Sequence, residues 1–324
     1  MSKNFISLAA GMAMIGGVAM SDTPKVAVDI SPVHSLVSRV MLGVGAPDLI
    51  VQAGASPHGY TLRPSEAKAL QDAQMVFWMG ESLSPWMEGA LDTLSSDATI
   101  ITLLETDETI LLEFREGAMF EENDHDNHGD EKHDDHGDKK HDDHGDEKHE
   151  DHGSHDPHAW LSPDNARIWL NLIASQLSIV DPENAGTYFA NAAAARSEIE
   201  ALTIEVNSLL EPVRGKKFIV FHDAYQYFEK AFDLSASGAI SLSDASKPSP
   251  ARIAEIQGRI QEESIDCILS EPQFNKGLVA TIMAGSKAKT SVIDPLGVGL
   301  KPGPDLYSEL IRNMTETLVD CFES

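Results

Sequence analysis

Short apolar segments alternate with helical patterns twice along this chain, and that alternation most restricts the folds open to it. Val26 to Ile30, Leu49 to Gln52, Met75 to Met79 and Ile100 to Leu104 read as strands. Between them Ser35 to Leu42, Ser65 to Ala73 and Pro85 to Leu94 carry helical spacing, with Ser65 placed to cap its helix. The order βαβαβαβ calls for a parallel sheet, because parallel neighbours need a crossover and a helix supplies it. The pattern returns after residue 217. Phe218 to Phe221, Leu234 to Ala239, Cys267 to Ser270 and Ser291 to Ile293 read as strands. Ala224 to Phe232, Pro250 to Glu263, Asn275 to Ala284 and Asp305 to Phe322 read as helices.

Two helical stretches lie between the alternating halves. The first starts at SPDNARIWL, where Ser162 can cap and Pro163 can take the first helical position. The second runs from Pro182 to about Leu210, long and rich in alanine. At the standard rise it makes a rod of roughly 42 Å, more than one domain needs. The expected fold is therefore α/β. Two Rossmann-like lobes, each a parallel sheet flanked by helices, are joined by one long rigid helix. The expected divisions are a signal peptide at 1–21, an N-terminal lobe at 24–180, a linking helix at 181–211 and a C-terminal lobe at 212–324.

One segment breaks the pattern. HDNHGDEK, HDDHGDKK and HDDHGDEK repeat with a period of eight from His125, and HEDHG begins a fourth copy at His149. Between Glu121 and His158 there are 16 acidic residues and four lysines, a formal charge of −12 within a chain total of −28. Such a stretch has almost nothing apolar to bury and cannot offset the entropy of ordering, so it reads as a disordered surface insertion at 121–155. The acidic balance excludes nucleic acid and anionic membrane surfaces as partners and favours cations.

The first residues, MSKNFISLAAGMAMIGGVAMSDT, have a basic start, a short apolar run and small residues near Ala19 and Ser21. This is the pattern of a cleavable secretory signal. No cysteine stands near it to take a lipid, so the expected product is released rather than lipid-anchored. The two cysteines, Cys267 and Cys321, lie late in the chain. In an oxidising compartment they suit a disulfide, worth about 4 kcal/mol in the chain-entropy model; two separate buried thiols are the alternative.

Ten of the 13 histidines fall in the insertion or at its edge; the others are His34, His58 and His222. Ligands of open parallel sheets gather beyond the carboxyl ends of the strands. His58 follows the second strand, His158 follows the fourth beyond the insertion, and His222 and Asp294 end strands of the second half. A lone histidine is more often a hydrogen-bonded core or surface residue. Three at strand ends of facing lobes suit Zn²⁺, which takes four ligands in a tetrahedron. Asp294, a water or a histidine of the insertion are candidates for the fourth position. His34 follows the first strand and could approach the cleft.

Four segments carry a family resemblance: GASPHGYTLRPSE (54–66), DPHAWLSPDNA (156–166), VFHDAYQYFEK (220–230) and SEPQF (270–274). In order and over essentially the whole mature chain, they resemble the periplasmic zinc-binding proteins of high-affinity zinc ABC uptake systems, within the cluster A-I (cluster 9) solute-binding proteins. The resemblance implies metal ligands at His58, His158 and His222 between two lobes, and a late aspartate at Asp294. It implies zinc over manganese, because manganese-binding relatives have glutamate where His222 stands and imidazole suits zinc. It also implies a disulfide between Cys267 and Cys321. Some zinc-binding members place a glutamate before the first histidine; this chain has Pro57 there, which leaves the fourth ligand open.

The function expected is that of a monomeric periplasmic binding protein, not an enzyme. It captures Zn²⁺ in the three-histidine site and delivers it to a membrane ABC permease, with the His-rich loop aiding capture or regulation. The alternatives are a manganese-binding homologue, a secreted metal buffer or adhesin without a transporter, and a zinc-dependent hydrolase with Glu271 or Asp294 as base. No HExxH or G-x-S-x-G pattern supports the last.

Overall fold

In the computed structural model of the protein, the residues described are 23–115, 120, 155–241, 248–273, 276–283 and 285–323. The expected signal peptide and nearly all of the expected insertion lie outside them.

The first half gives β1 (Val26–Val28), α1 (Ser31–Val40), β2 (Asp48–Leu49), α2 (Pro64–Asp72), β3 (Met75–Trp78), α3 (Pro85–Leu94) and β4 (Thr99–Thr102). Two antiparallel neighbours follow, α4 (Pro163–Val180) and the long α5 (Ala185–Leu210). The second half gives β5 (Phe218–His222), α6 (Gln226–Phe232), β6 (Ala239–Ser241), α7 (Pro250–Glu262), β7 (Cys267–Ser270), α8 (Lys276–Ile282), β8 (Lys289–Val292) and α9 (Leu306–Glu323). The strands form two four-stranded parallel sheets, ordered β2-β1-β3-β4 and β6-β5-β7-β8. The second sheet thus repeats the topology of the first.

The period-two alternation of the strands assigns each side chain to a layer. Val26, Val28, Met75 and Phe77 enter a large core, while Ala27, Val76 and Trp78 face α2 and α3 on the other side of the sheet. In the second sheet Phe218, Val220, Cys267 and Leu269 join the same large core, and Ile219, Phe221 and Ile268 face α7 and α8. That shared core contains buried residues of α1, α4, α5 and α9 and runs unbroken from one sheet to the other. Along α5, Tyr188, Ala192, Ala195, Ile199, Leu202, Val206 and Leu210 recur at helical spacing and are buried. At about 39 Å this helix is a spine lying against both lobes. Cys267 of β7 and Cys321 of α9 form a disulfide, which ties the last helix to the second sheet.

Local chemistry moves some boundaries from their expected places. Arg63, not Ser65, caps α2: Pro64 takes the first helical position, and Glu66 accepts the Arg63 N–H at 2.7 Å. Residues 234–238 are a loop rather than a strand, because Asp233 adopts a left-handed conformation (φ 55°) that ends α6. Ser162 caps α4 as its sequence suggests, accepting the Asn165 N–H at 3.3 Å.

The sheet order places a switch point between β1 and β3 and another between β5 and β7. At the first sits Asp29, fully buried, accepting the N–H of Ile30 at 2.7 Å and of Met79 at 2.6 Å. Burial raises its carboxyl to about 7 in spite of these bonds. A carboxyl raised on folding stabilises the fold in its protonated form. Its contribution is complete below the unfolded value near 3.8 and is lost as pH rises through about 7. The metal-free chain should therefore gain about 1.4 kcal/mol from this group between pH 8 and pH 6. Urea unfolding at both pH values, compared with Asp29→Asn, measures it. An equal pH trend in the two proteins would mean Asp29 is ionised throughout.

Candidate metal centre

At the second switch point stands His222, the last residue of β5, with Glu271 directly after β7. His222 Nδ1 is 2.5 Å from Glu271 Oε1, and both residues are buried. His158 opens a short 3-10 turn (Ala159–Leu161) just before α4. Its Nδ1 is 2.7 Å from Asp156 Oδ1, which also accepts the His158 N–H at 2.9 Å. In both rings a carboxylate therefore faces Nδ1 and favours a proton there, which makes Nε2 the nitrogen that would bind a metal. The two Nε2 atoms lie 3.4 Å apart. Zinc–nitrogen bonds of about 2.0–2.1 Å at tetrahedral angles separate two ligand nitrogens by about 3.3 Å.

His58 completes the group from the loop between β2 and α2. That loop is pinned at Pro57, whose carbonyl accepts the Ser84 hydroxyl at 3.0 Å and the Trp86 indole N–H at 2.7 Å. The Tyr60 hydroxyl donates to Glu66 at 2.8 Å, fixing the loop to the start of α2. The His58 ring centroid lies 5.4 Å from that of His158 and 6.3 Å from that of His222, and one ring nitrogen of each histidine lies within 4.8 Å of the others. Among the described residues these three are the group able to hold a metal.

Asp294 stands outside that group. Its Oδ1 accepts the N–H groups of Leu296 at 3.1 Å and Gly297 at 2.9 Å, and its Oδ2 that of Gly299 at 3.4 Å. His34 is also elsewhere. It is buried in α1, with Nε2 against the Pro47 carbonyl at 3.1 Å and Nδ1 against the Ser38 hydroxyl at 3.4 Å. Burial lowers its pKa, so it serves as a neutral core residue.

A charged layer backs the three rings. Arg115 donates through Nε to both oxygens of Asp223 at 3.0 Å, and through Nη1 and Nη2 to Glu229 at 2.9 Å. Burial pulls the guanidinium pKa down, but the bonds to Glu229 and Asp223 outweigh it and keep the group charged. Burial raises Asp223 against the pull of Arg115. Asp156 is pushed up to about 6 by burial, with the His158 N–H and the Arg115 charge opposing. Tyr225, fully buried, is raised well above its ordinary value by burial and by the Glu271 carboxylate. Glu113 and His155 form an isolated antiparallel bridge, and the Asp156 N–H donates to the Leu112 carbonyl at 2.8 Å. The chain thus leaves for the His-rich segment and returns from it beside the metal group.

The sequence brought forward the three histidines but not the groups that orient them. Asp156 stands two residues before His158 in DPH, and Glu271 follows a strand end, the same signal that marks His222. Glu271 reads from the sequence only as a base for hydrolysis; the structure makes it the partner of an imidazole. Arg115 carried no local signal.

The family model for zinc-uptake complex component A, periplasmic, matches residues 26–321. The chain belongs to this family. Members of the zinc-uptake component A family align with it from end to end. The high-affinity zinc uptake system protein ZnuA of Brucella abortus is 46% identical over 98% of this chain and 99% of its own. That of Paracoccus denitrificans is 46% identical over 97% and 96%. A crystal structure of ZnuA superposes with a TM-score of 0.73 at 22% identity, covering 93% of this chain and 99% of that one, which supports the two-lobed fold. The family is one of periplasmic zinc-uptake substrate-binding proteins, a transport role. No described helix of this member is long and apolar enough to cross a membrane.

Proposed function

We propose that the chain, acting as a periplasmic monomer, binds Zn²⁺ through Nε2 of His158, Nε2 of His222 and one nitrogen of His58, and hands the ion to an ABC permease. The observation that carries this reading is the 3.4 Å separation of two nitrogens whose rings are each turned by a carboxylate. Neutral nitrogen donors with no thiolate suit zinc better than magnesium, calcium or manganese, which favour oxygen. A water completes the tetrahedron; Asp294 is the alternative, and its oxygens already serve the N–H groups of the turn that follows β8. The buried carboxylates behind the rings draw the cation in. The histidine-rich repeat of residues 125–153 gathers zinc weakly outside the deep site, each imidazole pair holding it for a short time.

Zinc stoichiometry by chelator competition, on the mature chain lacking residues 121–154, tests this assignment. His58, His158 and His222 survive that deletion. One tightly held zinc per chain is expected. Loss of tight binding would make the repeat the principal site.

A further inference from the structure

A basic cleft opens at the end of the second sheet farthest from the three histidines. Its cations are Arg214, Lys216 and Lys217, which lead into β5, and Arg259 in the last turn of α7. The cleft holds about 770 Å³, and two acids, Asp233 and Glu263, line it as well. Glu263 is shared by Arg259 and by Lys217, the latter at 3.8 Å, while Lys216 makes no ion pair among the described residues. Arg214 pairs with Glu211, yet its Nε is buried with no acceptor among the described residues. A chain of net charge −28 thus gathers four cations around one cleft. Phe120 lines the same cleft, packed against the core with the Arg115 guanidinium 3.5 Å from its ring centroid. His222 stands at the opposite end of β5, about 13 Å from Phe218 along the strand.

Glu121, Glu122, Asn123 and Asp124 follow Phe120, and the histidine repeat begins only at His125. Covalent geometry keeps Glu121 about 3.8 Å from Phe120, Cα to Cα, and Asp124 within about 14 Å. We propose that the basic cleft is the docking surface for this acidic run, with the carboxylates of Glu121, Glu122 and Asp124 pairing with Arg214, Lys216, Lys217 and Arg259. The signs of charge are opposite, and no lysine stands between Phe120 and Lys132 to weaken the run. An isolated surface ion pair contributes little. A run tethered at Phe120 instead meets the cleft at a high effective concentration and gives up little freedom on docking. The contact involves no metal. It makes residues 121–124 an anchor that holds the root of the acidic stretch at the far end of β5. These three carboxylates are thereby kept away from the histidines of the metal group, and the imidazoles of the repeat are left to bind cations.

Zero-length carbodiimide coupling on the full mature chain, held metal-free with chelator, tests this contact. The reagent joins a lysine amine to a carboxylate that touches it and adds no spacer. Mass spectrometry of the digest should show Lys216 or Lys217 linked to Glu121, Glu122 or Asp124. Raising the salt from about 0.05 M to about 0.5 M should lower the yield at least about fivefold, because exposed charges are screened. Arg214→Gln and Arg259→Gln should each lower it about threefold, since the arginines hold the run but cannot themselves be coupled. Lys68 and Asp72, 2.8 Å apart in the first lobe, give a reference link that neither arginine variant should change. An equal mixture of ordinary and ¹⁵N-labelled chains should give links within one isotope only.

Coupling of Lys216 and Lys217 to Asp233 and Glu263 alone would overturn the proposal. So would links to residues 121–124 whose yield ignores salt and both arginine variants, because nearness to Phe120 would then explain them without a docking surface. Links of mixed isotope would give the cleft to the acidic run of a second copy and take it from the chain's own.

Discussion

Replacing His222 by alanine in the chain lacking residues 121–154 should weaken zinc by about 10²–10³-fold or more. Tight zinc sites are worth about 10–16 kcal/mol, so one of four ligands stands for roughly 2.5–4 kcal/mol. The loss is placed at the upper end because His222 is doubly fixed, by the last backbone bonds of β5 and by Glu271 at 2.5 Å. The charge left uncompensated adds to it: without the imidazole, Glu271 is buried beside Tyr225 with the Gln273 amide as a remaining donor at 2.7 Å. Glu271→Gln is the graded companion. It retains an oxygen that can face Nδ1 but loses the charge, and about 10–100-fold is expected. Chelator competition with the two variants side by side checks the assignment. A Glu271→Gln loss as large as that of His222→Ala would mean that the carboxylate itself binds the ion.

The contrast between those two residues also shows what the sequence could and could not disclose. Strands such as VAV, MVFW, FIVFH and CILS are legible because both faces of a parallel sheet are buried, which leaves short continuous apolar runs. The topological rule then points to their carboxyl ends, and His222 stands at one of them. The repeated order of elements was legible for the same reason, and so was α5, whose alanines and spaced apolar residues mark a buried stripe. Boundaries set by one residue were not. The left-handed turn at Asp233 has no apolar signature, and Pro64 moved a helix start that Ser65 could equally have marked. Partnerships across the lobes were the least legible of all. Arg115 and Asp223 are 108 residues apart, Trp160 and Pro295 are 135 apart, and nothing in a local window predicts either bond. The identity of three ligands is a matter of residue type and strand ends; their orientation is a matter of tertiary structure.

Acid should empty the deep site steeply, and the steepness should count its histidines. A ring that binds zinc through Nε2 must be neutral, and an ordinary imidazole titrates near 6.5. Above that pH no proton need leave when the ion binds, so affinity is nearly level. Below it each ligand sheds one proton on binding, and three ligands give a slope approaching three decades of affinity per pH unit. For three ordinary imidazoles the loss between pH 6.5 and pH 5 is about 4 × 10³-fold. The supporting carboxylates change in the same range: Asp156, pushed up to about 6 by burial, takes up a proton there and loses the charge that favours the cation. Both effects have the same sign, since each proton gained by the site opposes the ion. His222→Ala should reduce the limiting slope by one, because one proton fewer competes. Zinc affinity of the chain lacking residues 121–154, measured from pH 8 to pH 5 with a chelator of known acid constants, reads the slope directly. A slope near one would leave a single imidazole on the ion, and a profile unchanged by His222→Ala would take that residue out of the site.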